Sequence, residues 1–227
     1  PNRTSNFNTR QNSYDISADV LGYPESYYTP PAEGIEEIQI IRGAASLQYG
    51  TQFGGLLNFK LKESTTQKPI SLLLRNSIGS NGLYTNFTQV SGKLGKWRYT
   101  SFFNLKNGNG FRPNSKFNSS NVFFKLSHDF SKNTQVSAEI TYLDYLAQQA
   151  GGLSDNLFQE NPYQSNRERN WFSLYWFLYN FKLEHELSKK SNLSLNVFGL
   201  NAQRNAIGFR SNRVSQIDPN QERDLIK

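Results

Sequence analysis

The sequence predicts an all-β membrane protein, and three observations carry this prediction. Apolar and polar residues alternate over long runs from residue 70 onward, several runs reach 11 or more residues, and short connections alternate with long ones. Strands of soluble proteins typically have ~5–6 residues, whereas a tilted strand that crosses a bilayer needs ~9–11. An apolar outward face, with short turns on one side of the membrane and long loops on the other, is typical of membrane β-barrels.

The composition limits the class of protein. The 227 residues include no Cys and no Met, 14% are aromatic, and the mean hydropathy is −0.66. No run of about 18 apolar residues is present, which excludes a membrane helix, and the lack of Cys excludes disulfides and thiolate metal sites. The aromatic content suits a barrel with aromatic girdles, and it equally suits an aromatic-rich soluble β-protein.

The net charge of +7 is the feature that could indicate a nucleic-acid-binding protein. However, the lysines fall at predicted turns, and the sequence has neither a basic helix nor an RNA-binding motif. We therefore interpret the charge as solvated turns and predict no nucleic-acid partner.

The first 34 residues are polar or rich in turn-forming residues. Residues 1–14 are rich in Asn and are predicted to be irregular, leading into a first strand over residues 15–21. Residues 22–34 hold three Pro, two Gly and three Tyr, which predicts a stiff loop. Its tyrosines could present rings to a ligand or pack the loop down. Because no Met or leader precedes Pro1, we expect the sequence to start inside a longer protein.

Residues 35–62 form the most informative stretch. Alternating isoleucines predict a short strand that ends at Arg42-Gly43, and a second strand is predicted over residues 56–61. Before it, Gly54-Gly55 indicates backbone where a side chain does not fit or where φ is positive. By spacing alone, this could be a generic strand–turn–strand unit.

Three sequence motifs in this stretch add information. In order, they are Ile38-Gln39-Ile40-Ile41-Arg42-Gly43, Ala45-Ser46-Leu47-Gln48-Tyr49-Gly50 and Gly54-Gly55-Leu56-Leu57-Asn58-Phe59. Together, with their spacing, they resemble the end of the plug domain of TonB-dependent outer-membrane receptors. Residues 22–33 and Gln52 are similar to the ferric-dicitrate branch of that family.

The resemblance implies a division into domains. Residues 1–64 would be the C-terminal part of the plug, 65–69 a linker, and 70–227 the first strands and loops of a transmembrane β-barrel. Strands are predicted near residues 70–79, 83–94, 97–107, 118–130, 134–147, 169–187 and 191–208. The family's barrels have about 22 strands, and seven would leave unpaired backbone groups in lipid. We therefore expect an incomplete barrel.

The connections between these strands differ in length and charge. Short, basic connections fall at Gly95-Lys96, 131–133 and 188–190, whereas residues 107–117 and 148–168 form long, irregular ones. If the plug precedes the first strand on the periplasmic side, the short basic turns are periplasmic and the long loops are extracellular.

Catalytic and metal sites are not predicted. His128 and His185 lie in separate predicted strands without metal-ligand spacing. Asp155, Glu160 and Glu168 lack the pattern of a Ca²⁺ loop. We predict that the protein is not an enzyme and has no resident metal or cofactor.

The resemblance implies a ligand pocket between the plug apex and the inner barrel wall. Arginine suits an anionic ligand because its guanidinium binds carboxylates in a bidentate manner, although any loop arginine could simply be solvated. The candidates are Tyr27, Tyr28, Thr29, Gln52, Phe53, Arg112, Arg167, Arg169, Arg210 and Arg213. Arg42 is expected to be buried and to hold the plug to barrel carboxylates, as in the family. It joins Gly43, Tyr49, Gly50, Gly54, Gly55 and Asn58 as the plug motif.

The functional prediction follows from the resemblance. It implies TonB-dependent uptake of a ferric chelate, with ferric citrate favoured, across a Gram-negative outer membrane. The expected partners are the TonB–ExbB–ExbD complex, reached through a segment outside this sequence, together with lipid, lipopolysaccharide and possible further outer-membrane subunits. Alternatives are a receptor for another siderophore, a sugar or cobalamin, or a structural subunit of a larger assembly. The plug motif disfavours a passive porin, and the strand lengths disfavour a soluble module.

Overall fold

The computed structural model describes residues 7–17, 27–43, 49, 55–64 and 67–208. Within these residues the chain forms two β-sheets, which we name the small sheet and the large sheet. The small sheet is built from the first part of the chain and the large sheet from the remainder. In the same residues, no helix is long and apolar enough to cross a membrane.

The small sheet contains four strands within the described residues, in the order β2-β1-β4-β3. They are β1 (Phe7–Gln11), β2 (Tyr14–Asp15), β3 (Ile35–Ile41) and β4 (Gly55–Leu61). β1 pairs with β4 in parallel, and the other two pairs are antiparallel. A 3-10 turn over Ala32–Gly34 leads directly into β3.

The prediction of an irregular segment over residues 1–14 is wrong for β1 and for the start of β2. Asn12 and Ser13 have φ of 47° and 76°, as a two-residue type I′ hairpin requires. β1 is polar and short, and its pairing with the distant β4 stabilises it. Asp15 ends β2, so the strand predicted from that residue does not extend to Ser17, and residues 18–21 lie outside the described chain.

The two strands predicted within residues 35–62 are confirmed by β3 and β4. Gly55 has a φ of +110°, and a Cβ at this position would lie 2.8 Å from the carbonyl oxygen of Ile41. Both facts exclude an ordinary side chain there. The prediction of a glycine-specific backbone is therefore confirmed at Gly55, whereas Gly54 lies outside the described residues.

The large sheet contains seven strands within the described residues, as predicted, and neighbours in sequence are antiparallel neighbours in space. They are β5 (Ser71–Gly79), β6 (Leu83–Leu94), β7 (Trp97–Gly108), β8 (Phe117–Ser131), β9 (Thr134–Gln148), β10 (Trp171–Ser188) and β11 (Ser191–Ile207). In the described chain β5 and β11 are the edge strands. The predicted all-β architecture with an antiparallel seven-stranded sheet is confirmed.

One long connection is more regular than predicted. The segment between β9 and β10 contains a short helix, α1 (Asp155–Glu160). Ser154 precedes it, and its hydroxyl accepts a hydrogen bond from the backbone nitrogen of Leu157 at 3.5 Å. Serine followed by an acidic first turn is an N-terminal helix signal, so the sequence did contain the information.

The two faces of the large sheet differ sharply in chemistry. In the row of paired residues through its middle, Phe124, Ile140 and Tyr179 lie on the outward face and are substantially exposed. The inward face carries many buried polar side chains: Thr100, Asn104, Asn121, Ser127, Ser137, Glu139, Thr141 and Asn180. The small sheet covers this inward face, so a polar boundary joins the two sheets.

Two apolar clusters also join the sheets. In the first, Tyr14, Ile16, Tyr28 and Phe59 pack with four residues of β9 and β10: Leu143, Leu174, Trp176 and Leu178. In the second, Leu61 packs against Phe87, Phe102 and Phe123 of β6, β7 and β8. Apolar burial at ~25 cal/mol per Å² makes both clusters favourable contacts, so the small sheet is held at two separate places.

Candidate functional site

The buried centre of the boundary between the sheets is a hydrogen-bonded polar cluster. The side-chain nitrogen of Gln11 lies 2.8 Å from the Tyr14 hydroxyl, 3.0 Å from the Thr141 hydroxyl and 3.3 Å from the Glu139 carboxylate. The Tyr28 hydroxyl donates to the Gln11 side-chain oxygen at 3.0 Å. Buried polar groups are costly unless they are paired, so these contacts specify how the small sheet seats on the large one.

Glu139 adds a charged carboxylate to this polar cluster. It is only 3% exposed, and its carboxylate accepts a hydrogen bond from Asn12 at 2.8 Å. The Lys125 ammonium lies 3.7 Å from Glu139 and also pairs with Glu63, which follows β4. Lys125 therefore bridges the carboxylate of Glu139 on the large sheet and that of Glu63, just after the last strand of the small sheet.

The surroundings of the two buried tyrosines affect their ionisation. Burial raises the pKa of Tyr14, and the nearby Glu139 carboxylate raises it further. Burial likewise raises the pKa of Tyr28. Both phenols therefore stay neutral at physiological pH and can donate hydrogen bonds within the cluster.

A second cluster, of aromatic rings, lies nearer the long-loop end of the large sheet. Tyr27 contacts the rings of Phe172 and Trp176, with centroids 5.9 and 6.1 Å apart. The exposed guanidinium of Arg204 lies 5.5 Å from the ring centroids of both Tyr27 and Phe172. We name Tyr27, Phe172 and Arg204 the aromatic–arginine cluster. It combines cation–π contacts with an exposed positive charge.

The two long loops contact each other. The Arg112 guanidinium donates to the Gly151 carbonyl at 2.8 Å, Asn114 donates to the Ser165 hydroxyl at 3.1 Å, and Phe111 meets Tyr163 edge-on. These contacts join residues 109–116 to residues 149–170. The loops therefore form one layer, and Arg112 is part of its internal bonding.

The candidate ligand residues occupy different environments. Tyr27 is half-buried in the aromatic–arginine cluster, Thr29 is exposed, and Tyr28 is only 1% exposed and belongs to the polar cluster. Arg167 and Arg169 are half-buried in the loop layer. Gln52, Phe53, Arg210 and Arg213 lie outside the described residues. The ligand role of all these residues remains a prediction.

The plug-motif residues are structural where they are described. Asn58 is buried; its side-chain oxygen accepts from the Ser13 backbone nitrogen at 2.9 Å and its amide donates to Gln39 at 2.9 Å. Tyr49 lies under Arg10, which is 4.9 Å from its ring centroid and donates to its carbonyl at 3.1 Å. Gly43 has a φ of +69°, while Gly50 and Gly54 lie outside the described residues.

The exposure of Arg42 differs from the prediction. Arg42 was expected to be buried, but its side chain is exposed just after the end of β3. No ion pair of Arg42 is found within the described residues. The prediction of burial is wrong because β3 is an edge strand of the small sheet in the described chain and is itself largely exposed, with Ile38 and Ile40 53% and 60% exposed.

Several residues at the boundary between the two sheets were not predicted as functional from the sequence. Arg204, Glu139 and Lys125 had no distinguishing motif, because their roles depend on which distant residue lies opposite each of them. Within the described part of the chain, no group of three or more His, Asp or Glu residues could hold a metal ion.

Comparison with known proteins gives matches among solved structures only. No family model matches the chain, and no curated protein matches it. The ferric citrate transporter FecA in its unliganded form superposes with a TM-score of 0.76 at 16% identity, covering 91% of this chain and 32% of that one.

Two further structures agree with this match. The ferripyoverdine receptor of the outer membrane of Pseudomonas aeruginosa gives a TM-score of 0.73 at 16% identity, covering 88% of this chain and 28% of that one. The ferric-catecholate import receptor Fiu of E. coli K12 gives 0.74 at 12% identity, covering 91% and 33%. This chain spans about a third of the length of each structure. Its fold is that of the corresponding part of the TonB-dependent outer-membrane receptors.

Proposed function

We propose that the chain is part of an outer-membrane receptor that takes up a ferric chelate with energy supplied by TonB. The observation that carries the proposal is the seating of the small sheet, as the end of a plug, on the polar inner face of a sheet with an apolar outer face. A passive porin has no reason to fill its inner face in this way. The iron is cargo within the chelate, and the protein needs no resident metal or cofactor.

The outward face of the large sheet supports the membrane location. It exposes large apolar side chains from every strand: Leu72, Leu74, Ile78, Tyr84, Leu94, Trp97, Phe103, Phe124, Phe130, Ile140, Leu146, Tyr175, Tyr179, Phe181, Leu187, Leu193, Leu195, Val197 and Ile207. Exposed apolar patches of this extent mark contact with a membrane or another protein. Lipid on this face and lipopolysaccharide beside the loop layer are the expected partners.

The aromatic–arginine cluster supports an anionic ligand. Arg204 presents an exposed charge beside two aromatic rings, at the long-loop end of β11. A guanidinium recognises carboxylates well, and citrate supplies them. Ferric citrate is therefore the favoured chelate, and other ferric siderophores are the alternative.

The polar cluster supports energy coupling. Glu139 holds the β1–β2 turn, and Lys125 holds Glu63 after β4. These polar contacts can break and re-form, whereas the two apolar clusters oppose the movement, so displacement of the small sheet requires an input of energy. A pull transmitted by the TonB–ExbB–ExbD complex could therefore move the small sheet and open a path.

Calorimetric titration of the intact, detergent-purified protein tests the proposal. Ferric citrate is the probe, and iron-free citrate is its matched control. Binding that requires iron supports ferric citrate as the ligand. Absence of binding to ferric citrate together with binding of another ferric siderophore corrects the ligand but keeps the receptor function. Binding of neither contradicts the proposal.

A further inference from the structure

The outward face of β5 and β6 carries polar side chains that the proposed function does not use. Asn76 of β5 and Asn86 of β6 are directly paired in the sheet and so share a face. Thr88 lies on that face two residues further along β6. Between the last two, Phe87 points the other way and is buried in the apolar cluster that contains Leu61 of the small sheet. Asn76, Asn86 and Thr88 therefore project away from the small sheet, and we name them the amide patch.

Apolar residues surround the amide patch on the same face. Leu74 and Ile78 flank it along β5 and are 58% and 87% exposed. On the next strand, Phe103 of β7 is paired with Thr88 and is 41% exposed. The patch therefore interrupts the apolar surface that the proposed function places against lipid.

The amide patch lies at the depth of the lipid tails. Asn86 precedes Leu94, the last residue of β6 at the short-turn end, by eight residues. With a rise of ~3.4 Å per residue and a tilt of about 40°, this separation corresponds to ~20 Å along the membrane normal. The apolar band of an outer-membrane barrel is ~25 Å tall. Asn86 therefore falls within a band that starts at the strand ends, and Thr88 lies deeper still.

The hydrogen bonds within the amide patch leave donors unused. The Asn86 side-chain nitrogen and the Tyr84 hydroxyl both donate to the Asn76 side-chain oxygen, at 2.7 and 3.2 Å. The Thr88 hydroxyl donates to the Asn86 side-chain oxygen at 3.1 Å. Within the described residues, the side-chain nitrogen of Asn76 has no acceptor. Lipid tails offer none either, and an unpaired polar group in hydrocarbon is costly. The patch therefore requires a polar partner on its outward side.

The chemistry of the patch indicates which partner this is. None of the outward residues of β5 and β6 is charged, so nothing on this surface favours a phosphate or a carboxylate. A side-chain amide both donates and accepts hydrogen bonds. Two copies of the patch, related by a two-fold axis along the membrane normal, can therefore satisfy each other's amides, as a self-complementary interface requires.

We propose that the amide patch is the centre of an interface between two copies of this protein in the membrane. The side-chain nitrogen of Asn76 in each copy donates to an amide or hydroxyl oxygen of the other copy, and Leu74 and Ile78 pack around these hydrogen bonds. The inference rests on the membrane location in the proposed function, and it is independent of which nutrient is transported.

Cysteine cross-linking of the intact protein in outer-membrane vesicles tests the inference. The 227 residues contain no Cys, so an introduced Cys is unique among them. Leu74→Cys places a thiol beside the patch. The matched control, Val197→Cys, places a thiol on the outward face of β11, where Val197 is 54% exposed. A short, membrane-permeant bismaleimide should give a product of twice the monomer mass with Leu74→Cys and not with Val197→Cys.

Energy transfer in lipid vesicles measures what the amides contribute. Two samples of the intact protein, labelled through Lys116→Cys with a donor or an acceptor dye, are mixed over a range of protein-to-lipid ratios. The double variant with Asn76→Leu and Asn86→Leu should lower the association constant about tenfold. Asn201→Leu, which removes an exposed amide from the outward face of β11, should leave it unchanged.

Several results would overturn the inference. They are equal cross-linking of the two Cys variants, a cross-linked product of any other mass, and energy transfer no greater than random contacts produce. Heat-modifiable gel migration shows that each variant has kept its barrel. Failure to dimerise would leave the proposed transport intact, whereas a protein that stays dispersed without detergent would refute the membrane location on which both depend.

Discussion

The side-chain amide of Asn12 donates a hydrogen bond to the carboxylate of Glu139 across the boundary between the two sheets, with nitrogen and oxygen 2.8 Å apart. Asn12 sits in the two-residue turn between β1 and β2, and Glu139 lies buried on β9. Lys125 and Gln11 approach the same carboxylate. Glu139 of the large sheet therefore holds the β1–β2 hairpin of the small sheet in place.

Glu139→Ala should loosen the hairpin. The substitution leaves Asn12, Gln11 and Lys125 without their shared acceptor, at an expected cost of about 2–3 kcal/mol. Hydrogen–deuterium exchange at the amides of residues 7–15 should become faster. The matched control, Glu184→Ala, removes a partly exposed carboxylate on β10 and should cost less than about 1 kcal/mol. Equal exchange in both variants would show that Glu139 does not hold the hairpin.

Gly55→Ala should destabilise the small sheet. The new Cβ would meet the Ile41 carbonyl at 2.8 Å, and φ of +110° is strained for alanine. We expect a loss of about 1–3 kcal/mol in the free energy of unfolding. Gly43→Ala has a positive φ but no atom within 4 Å of the added Cβ, so it separates backbone strain from steric clash and should cost less.

Chemical denaturation of the detergent-solubilised variants measures these losses. Gly152→Ala, where a Cβ also meets nothing within 4 Å, is the neutral control. The order of stability should be Gly152→Ala, then Gly43→Ala, then Gly55→Ala. A Gly55→Ala protein as stable as the control would refute the tight approach of β3 and β4.

Alkaline pH should release the small sheet. The pKa values of Tyr14 and Tyr28 are raised above the ordinary value of 10.0, so the unfolded chain loses these protons first. The stabilising contribution is present below pH 10 and falls above it, by about 1.4 kcal/mol per pH unit for each tyrosine.

Urea unfolding between pH 8 and pH 11, followed by tryptophan fluorescence, measures this loss, because Trp176 packs against Tyr27. Tyr28→Phe should make the alkaline slope shallower, although it also removes the hydrogen bond to Gln11. Tyr163→Phe, at an exposed loop position, should keep the wild-type slope. An unchanged slope in Tyr28→Phe would contradict the burial of its phenol.

Arg204→Gln should weaken binding of an anionic ferric chelate. Hydrogen bonds to charged groups contribute about 1.5–3 kcal/mol, so the dissociation constant should rise at least tenfold. Lys182→Gln is the control because it removes an inward-face cation from β10, toward the short-turn end. If both substitutions weaken binding equally, the effect reflects general electrostatics and the aromatic–arginine cluster is not the ligand site.

The large sheet was predictable because its information is local. Alternation over β8 and β9 fixes which side chains face outward, and Gly95 or Lys132-Asn133 mark where the chain turns. Gly55 was predictable for the same reason, since a backbone constraint appears in the residue itself.

The boundary between the sheets was not predictable from local patterns. β1 forms only because β4 lies beside it. Arg204 becomes a candidate ligand residue only because its guanidinium lies next to the ring of Tyr27. The exposure of Arg42 likewise depends on the position of β3 at the edge of the small sheet. These contacts join residues that are far apart in sequence, so neither a sequence motif nor the spacing of apolar residues could predict them.

Iron uptake by cells that have this protein as their only outer-membrane iron receptor tests the central claim most directly. Radiolabelled ferric citrate is the first substrate, other ferric siderophores follow, and the inner-membrane proton gradient is collapsed in a parallel sample. We expect accumulation of iron that requires both the protein and the gradient. Accumulation that persists without the gradient would indicate a passive pore, and no accumulation from any ferric chelate would contradict the proposed function.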